Sequence, residues 1–230
     1  MSLPCRTMGA GPESGGEYKD MARYTEAYCR LCRRNGTKLM LKGERCFTDK
    51  CAMDRRSGPP GAHAGGRRRS KQSERGAQLM EKQKAKHTYG MYERQFRRFF
   101  DEATRMSGIT GKNLLVLLES RLDNVVFRLG FADSRSQARQ LVRHGHIKLN
   151  GHRNNVPSCL VKAGDIIEWR KASTRQEYYK TLVAKIEDKN IPAWLSLDKS
   201  SMSGKVLKLP GIDEIRTNFN EKAIVEWYSR

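Results

Sequence analysis

The sequence predicts an α+β protein: a mostly helical part with a four-cysteine knuckle, joined to a small module of two helices and an antiparallel sheet. Three observations predict it. Two close cysteine pairs, Cys29-Arg-Leu-Cys32 and Cys46-Phe-Thr-Asp-Lys-Cys51, stand thirteen residues apart near the start. Aromatic residues then recur at helical spacing between Met91 and Met106. Finally, Glu119 to Gly151 reads as helix, short turn, helix, strand and hairpin turn, with basic residues on the faces that are not apolar.

Composition narrows the partner. The 230 residues hold 45 Lys+Arg against 25 Asp+Glu, a formal charge of +20 and a pI near 10.0. Such a surplus opposes compactness through self-repulsion and serves to meet a polyanion. A membrane surface is not expected. The longest apolar run is Leu114 to Leu118, far short of a span, and the N-terminus has no apolar signal core. Cytoplasmic residence, a nucleic-acid partner and no small-molecule substrate are the expectation. The histidines and acidic residues form no visible nucleophile–base arrangement, so no enzyme and no catalytic residue is expected.

Residues 1–20 are rich in Gly, Ser and Pro without an apolar period and are expected to be a disordered extension, with Cys5 a spare thiol. Residues 21–56 hold the knuckle. The spacing places four thiolates, Cys29, Cys32, Cys46 and Cys51, around one tetrahedral ion, which is structural zinc chemistry. So short a segment cannot bury its own core, and metal binding would supply its folding energy. Four thiolates on a divalent ion leave a charge of about −2, which Arg30, Arg33, Arg34, Arg45 and Lys50 stand close by to offset. Unrelated buried thiols or two disulfides are the other readings, the latter disfavoured in a reducing compartment. An iron–sulfur cluster uses the same ligands and is the alternative to zinc.

Residues 57–110 form a basic loop and helices. The stretch DRRSGPPGAHAGGRRRS forbids regular structure and crowds Arg55, Arg56, Arg67, Arg68 and Arg69 together, a loop type that orders on RNA. His63 is read as loop chemistry. Ser73 to His87 is a polar, basic helix. Met91 to Met106 is amphipathic: Tyr92, Phe96, Phe99, Phe100 and Ala103 face inward, and Arg94, Arg97, Arg98 and Arg105 outward.

Residues 111–172 are the two-helix module, entered through a joint at Gly108 and Gly111. A helix over 112–129 carries a buried stripe of Leu122, Val125, Val126 and Leu129, with Arg121, Asn124 and Arg128 on another face. Ser134 and Gln137 have capping-box spacing for a second helix. Ala138, Leu141 and Val142 are its apolar side, and Arg135, Arg139 and Arg143 step along it every four residues, offered to solvent. That row advances about 6 Å per step, comparable to successive phosphates on a strand. Gly145 ends the helix through left-handed dihedrals. His146-Ile-Lys-Leu runs as a strand into the Asn150-Gly151 hairpin turn, and Gly164-Asp165 turns the chain into a strand over 166–170. Lys148 and Trp169 thereby join one antiparallel sheet. Cys159 is a small core or turn residue. Residues 173–230 are expected to pack back on the helical domain. They comprise a helix over 175–189, irregular chain or short strands around Trp194 and Lys205, and a last segment from Phe219 that reads as helix or strand, with helix favoured.

These residues resemble a known family. ESRLDNVVFRLGF followed by SRSQARQLVRHGHIKLNG is similar to the RNA-binding module of bacterial small-subunit ribosomal protein four. The likeness continues through CRLCRR, LKGERCF, KCAMDRR, PPGAHAGG, YGMYERQFRRFF, WLSLD and VEWYSR, over residues 21–230. The cysteine spacing matches the branch that keeps the metal knuckle. The resemblance implies an alpha-L type RNA-binding module and a primary binder of 16S rRNA that nucleates 5′-domain assembly. It also implies contact with small-subunit proteins five and three, a place near where messenger RNA enters, an influence on decoding accuracy and, in some bacteria, repression of the protein's own message. By position, the RNA-facing residues fall on Arg121, Arg135, Ser136, Gln137, Arg139, Gln140, Arg143, His144, His146 and Lys148, and the metal ligands on the four cysteines. Pseudouridine synthases and a tyrosyl-tRNA synthetase share the module, but they need a catalytic domain for which this chain has no segment. A zinc-bearing DNA regulator would want base-reading residues beyond Gln137 and Gln140.

Overall fold

The computed structural model describes residues 24, 26–56, 58–61, 73–186, 189–211, 214–215 and 217–229. The expected extension over 1–20, Cys5, His63 and Arg67 to Arg69 lie outside the described residues. The chain divides into two compact units, one of residues 21–115 with 215–230, the other holding residues 116–214.

In the helical unit, α1 (Tyr28–Asn35) stops at Gly36 and turns Leu31 and Cys32 onto Leu39 and Leu41, with Tyr24, Tyr28 and Met53 packed alongside. After α2 (Ala52–Arg55) comes α3 (Glu74–Thr88), started by Ser73, whose hydroxyl accepts from the Gly76 amide at 3.1 Å. On α4 (Glu93–Arg105) the expected row of Phe96, Phe99, Phe100 and Ala103 is buried. Tyr92 is not: it occupies the extended N-cap position, outside the helical period, and is 41% exposed.

The chain departs from expectation where it enters the second unit. The single helix read over 112–129 is two, α5 (Thr110–Glu119) and α6 (Leu122–Arg128), so Gly111 sits within a helix and not at a joint. Between them Arg121 is extended and bridges Leu160. The amides of Leu122 and Asp123 donate to the carbonyls of Cys159 (2.8 Å) and Pro157 (3.1 Å). Amides at a helix start need acceptors, and here a segment some thirty-five residues away supplies them. Cys159 is itself buried in the core.

Then α7 (Arg135–Arg143) begins as expected, with Ser134 Oγ accepting from the Gln137 amide at 3.3 Å. The return bond reaches one residue further back than a capping box requires, from the Asp133 amide to Gln137 Oε1 at 2.9 Å. Gly145, at φ 73°, carries the chain out of α7, and a Cβ there would collide with the Arg153 guanidinium. Five antiparallel strands follow: β1 (Ile147–Leu149), β2 (His152–Arg153), β3 (Ile166–Trp169), β4 (Leu195–Asp198) and β5 (Ser203–Val206), in the order β2-β1-β3-β5-β4. Asn150 and Gly151 make the β1–β2 turn at φ 51° and 78°, and Ile147 pairs with Trp169, Lys148 with Glu168. Between β3 and β4 runs α8 (Glu177–Lys185). Leu122, Val126, Leu129, Ala138, Val142, Ile147, Ile167, Leu182, Trp194 and Val206 share one buried core.

Residues 173–230 do not pack as one segment on the helical domain. Trp194, Leu195, Met202 and Val206 feed the core of the second unit, and β5 joins β3 through Ile166 opposite Lys205. Only the chain from Ile215 onward belongs to the helical unit. There α9 (Glu221–Tyr228) lies on α3, with Ile224 fully buried. Gln78 Nε2 donates to Glu226 at 2.9 Å, Lys82 stands over the Trp227 and Tyr228 rings, and Tyr228 donates to Glu93 at 2.8 Å. Among the described residues no helix is long and apolar enough to cross a membrane.

Candidate nucleic-acid interface

Two carboxylates with almost no exposure organise the module. Glu119 closes α5 and Asp123 opens α6, at 1% and 4% exposure. A buried carboxylate is tolerated only with compensating charge and hydrogen bonds, and both have them. Glu119 accepts two bonds from Arg128, Nε at 2.9 Å and Nη2 at 2.8 Å, and a third from Asn124 Nδ2 at 2.7 Å. Arg135 reaches the same acid at 3.8 Å, donates from Nε to Asn124 Oδ1 at 2.8 Å, and lies 4.7 Å above the Phe127 ring. Asp123 accepts a bidentate pair from Arg121 at 3.0 and 2.6 Å, and Arg139 Nη1 at 3.4 Å. Burial pushes the Arg139 guanidinium down from its ordinary value while Asp123 pushes back.

The expected row of three solvent-facing arginines is therefore graded. Arg143 is exposed, whereas Arg135 and Arg139 keep 17% of their side-chain surface and are tied to acids of the neighbouring helices. Arg121 is fully buried and holds Asp123, so it is a structural residue and not an RNA-facing one. Gln137 is occupied by the helix cap, and the Ser136 hydroxyl lies 3.0 Å from that of Ser134. Gln140 and His144 are exposed. His146 is half-buried, with Nδ1 2.9 Å from Ser173 Oγ. Burial pushes its imidazole down, and His144, Arg153 and Arg170 push the same way. Lys148 is half-buried between Glu168 and Arg153 in the sheet register. Arg55 and Arg56 are exposed at the end of α2, in the other unit, with Arg55 Nε donating to the Asp49 carbonyl at 3.0 Å.

The cations around His146 add two residues that sequence reasoning passed over. Arg153 and Arg170 are both exposed, and they join Arg143 and His144 where α7 runs into β1. No local period marks them, because β2 and the end of β3 bring them there through sheet pairing. Glu119 and Asn124 were also passed over as site residues: Glu119 ends α5 while Asn124 and Arg128 lie on α6, and no single helical period joins the three.

The four knuckle cysteines are free of disulfides. Burial pushes the Cys32 thiol up, a backbone hydrogen bond at Leu39 opposes it, and Cys46, Cys29 and Cys51 push further up, so the four sulfurs feel one another. The Lys42 amide donates to Cys46 Sγ at 3.4 Å. Among the described residues no group of three or more His, Cys, Asp or Glu is gathered closely enough to hold a metal ion. The donor chemistry fits zinc, while the sulfurs are not closed into a coordination sphere.

Comparison with known proteins converges on one family. Residues 23–119 match the model of the ribosomal protein S4/S9 N-terminal domain, and residues 120–167 match the S4 domain. Small ribosomal subunit protein uS4 of Syntrophomonas wolfei is 55% identical over 210 residues, 91% of this chain and 100% of the relative. The uS4 of Heliobacterium modesticaldum is likewise 55% identical over the same shares, and that of Halothermothrix orenii 53%. The two matches meet between Glu119 and Ser120, inside the ionic network.

Proposed function

Because this chain belongs to the ribosomal protein S4 family, we propose that it is a structural protein of the small ribosomal subunit, in the cytoplasm, that binds 16S rRNA early and nucleates folding of the 5′ domain. It is not an enzyme. The observation that carries the RNA reading is the cationic surface of the S4-domain match and the residues just after it. Arg135 and Arg139 are held by acids beneath them, beside the exposed Arg143, His144, Arg153 and Arg170. Guanidinium groups held in place meet phosphate oxygens through charge-assisted bonds without a fresh loss of side-chain freedom. With Gln137 engaged in the helix cap, this face offers few base-reading groups. It reads the placement of phosphates where RNA strands converge.

Contacts with small-subunit proteins five and three, a place near incoming messenger RNA, an influence on decoding and repression of the protein's own message are part of the same reading. Family likeness alone supports them. The test is footprinting on 16S rRNA, followed by titration of a 5′-domain junction in two altered forms. Base-pair swaps that keep the fold should leave affinity unchanged, and unfolding the junction at constant composition should abolish it. Equal losses from both would overturn shape reading, and the absence of any footprint would overturn the RNA assignment.

We further propose that Cys29, Cys32, Cys46 and Cys51 hold a structural zinc ion, with iron–sulfur ligation the alternative. The metal would supply folding energy to a segment whose own core is confined to Leu31, Cys32, Leu39, Leu41 and three half-buried neighbours. Elemental analysis of the purified chain should find zinc at about one equivalent, and chelation should loosen residues 28–55 while leaving 116–214 folded. Iron in its place, or no stoichiometric metal, overturns the zinc assignment.

A further inference from the structure

The buried acids beneath the arginine row do more than stability asks of them. Glu119 serves Arg128, Asn124 and Arg135 at once, and Asp123 serves Arg121 and Arg139. Ionic groups withdrawn from water this far rarely add net stability, because desolvation offsets their attraction and apolar replacements are often neutral or better. The arrangement also places two negative charges under a surface that must attract phosphates, which lowers the field it presents. Simple Coulomb attraction would be served better without them. What the acids supply, and an apolar core would not, is a fixed orientation for each guanidinium. Glu119 lies 3.8 Å from Arg135 Nη2 and Asp123 3.4 Å from Arg139 Nη1, the Arg135 guanidinium carbon stands 4.7 Å over the Phe127 ring, and each of the two arginines keeps 17% of its side-chain surface in contact with solvent.

We propose that Glu119 is a positioning residue of the RNA site: it aims Arg135, directly and through Asn124, and steadies Arg128, so that donors meet phosphates in a set geometry. Asp123 does the same for Arg139. The inference rests on the RNA-binding reading above. It also places the acid that aims the row in the sequence matched to the N-terminal family domain, one residue before the S4-domain match begins.

The sign of one substitution tests it. Glu119→Gln is nearly isosteric and raises the charge of the site by one. A purely Coulombic surface then binds RNA more tightly, whereas a positioned one binds more weakly. In the full chain, affinity for the 16S rRNA 5′-domain fragment at one fixed salt concentration should fall about tenfold. The Nε–H proton signals of Arg128 and Arg135, sharp when the groups are held, should broaden or disappear. A folded Glu119→Gln chain with unchanged or tighter binding overturns the proposal. Phe127→Leu decides the matter should Glu119→Gln not fold, because it removes the ring under Arg135 without touching charge. Weaker binding with the thermal midpoint preserved supports positioning, and unchanged binding overturns it. A wild-type chain that does not bind this RNA overturns the RNA reading as well, which the variants alone could not do.

Discussion

Arg121 and Arg143 carry the same guanidinium within one unit, and their surroundings give them opposite work. Arg121 has no exposed surface and two bonds to Asp123, so Arg121→Ala takes both of these bonds from a buried carboxylate and leaves it Arg139 at 3.4 Å. The expected loss is roughly 3–5 kcal/mol of stability, read from denaturant midpoints, with RNA binding falling only as the fold is lost. Arg143 is exposed. Arg143→Ala should leave stability within about 0.5 kcal/mol and weaken RNA binding about tenfold. A substantial stability loss at Arg143 would contradict the division. His87 is a second residue-level case. Burial pulls its pKa down from 6.5 to about 4, with Lys86 and Arg34 pushing the same way, and its Nδ1 lies 3.3 Å from Asn35 Nδ2. Its folded-state pKa lies below the unfolded one, so the unfolded chain takes up the proton first. The contribution is complete above about pH 6.5 and is lost as the pH falls toward about 4. Denaturant midpoints should decline over that window more in the native chain than in His87→Gln, and parallel pH profiles would contradict this.

At the scale of elements, the module is held by close approaches that a sequence pattern does not show. Gly204 on β5 lies directly against the side chain of Leu129, the residue that caps α6, where an added Cβ would overlap both methyl groups. Leu129 is fully buried and has little room to yield. Gly204→Ala should cost about 1–3 kcal/mol through overpacking, and a co-introduced Leu129→Ala should recover part of the loss if the clash is its cause. A neutral Gly204→Ala in thermal melts would show that strand and helix can separate freely. The break between α5 and α6 belongs to the same scale. Leu114 to Leu118 and Leu122 to Leu129 together present a continuous helical period, yet the chain leaves helix at Arg121 because Cys159 and Pro157 accept the next amides and Leu160 bridges across.

For the whole molecule, the net charge of +20 governs association. Neutralising RNA phosphates releases condensed cations, so the logarithm of affinity should fall linearly with the logarithm of salt concentration. A chain making roughly 6–10 phosphate contacts loses about 10³–10⁵ in affinity between about 50 and 200 mM salt. Titration across that range checks it, and a flat dependence would contradict the electrostatic account. Because Glu119 and Asp123 offset part of the charge on the module, the slope counts phosphates met and not arginines present.

The sequence by itself determined the family, the polyanionic partner and most helices, because each is written in local terms: charge balance, apolar residues at helical spacing, Ser73 and Ser134 at helix starts, and the Asn150-Gly151 turn. The long motifs between Glu119 and Gly151 were enough to indicate the RNA-binding module. Only the tertiary structure decided which arginines face solvent. Arg121 and Arg143 look alike in the sequence, and what separates them is whether the fold closes the guanidinium off from water, as it does where Arg121 pairs with Asp123 two residues on. It also decided that β4 and β5 extend the sheet of residues 116–214 while α9 packs on α3. Strand pairing and helix docking depend on partners distant in the chain, and no local period records which partner wins.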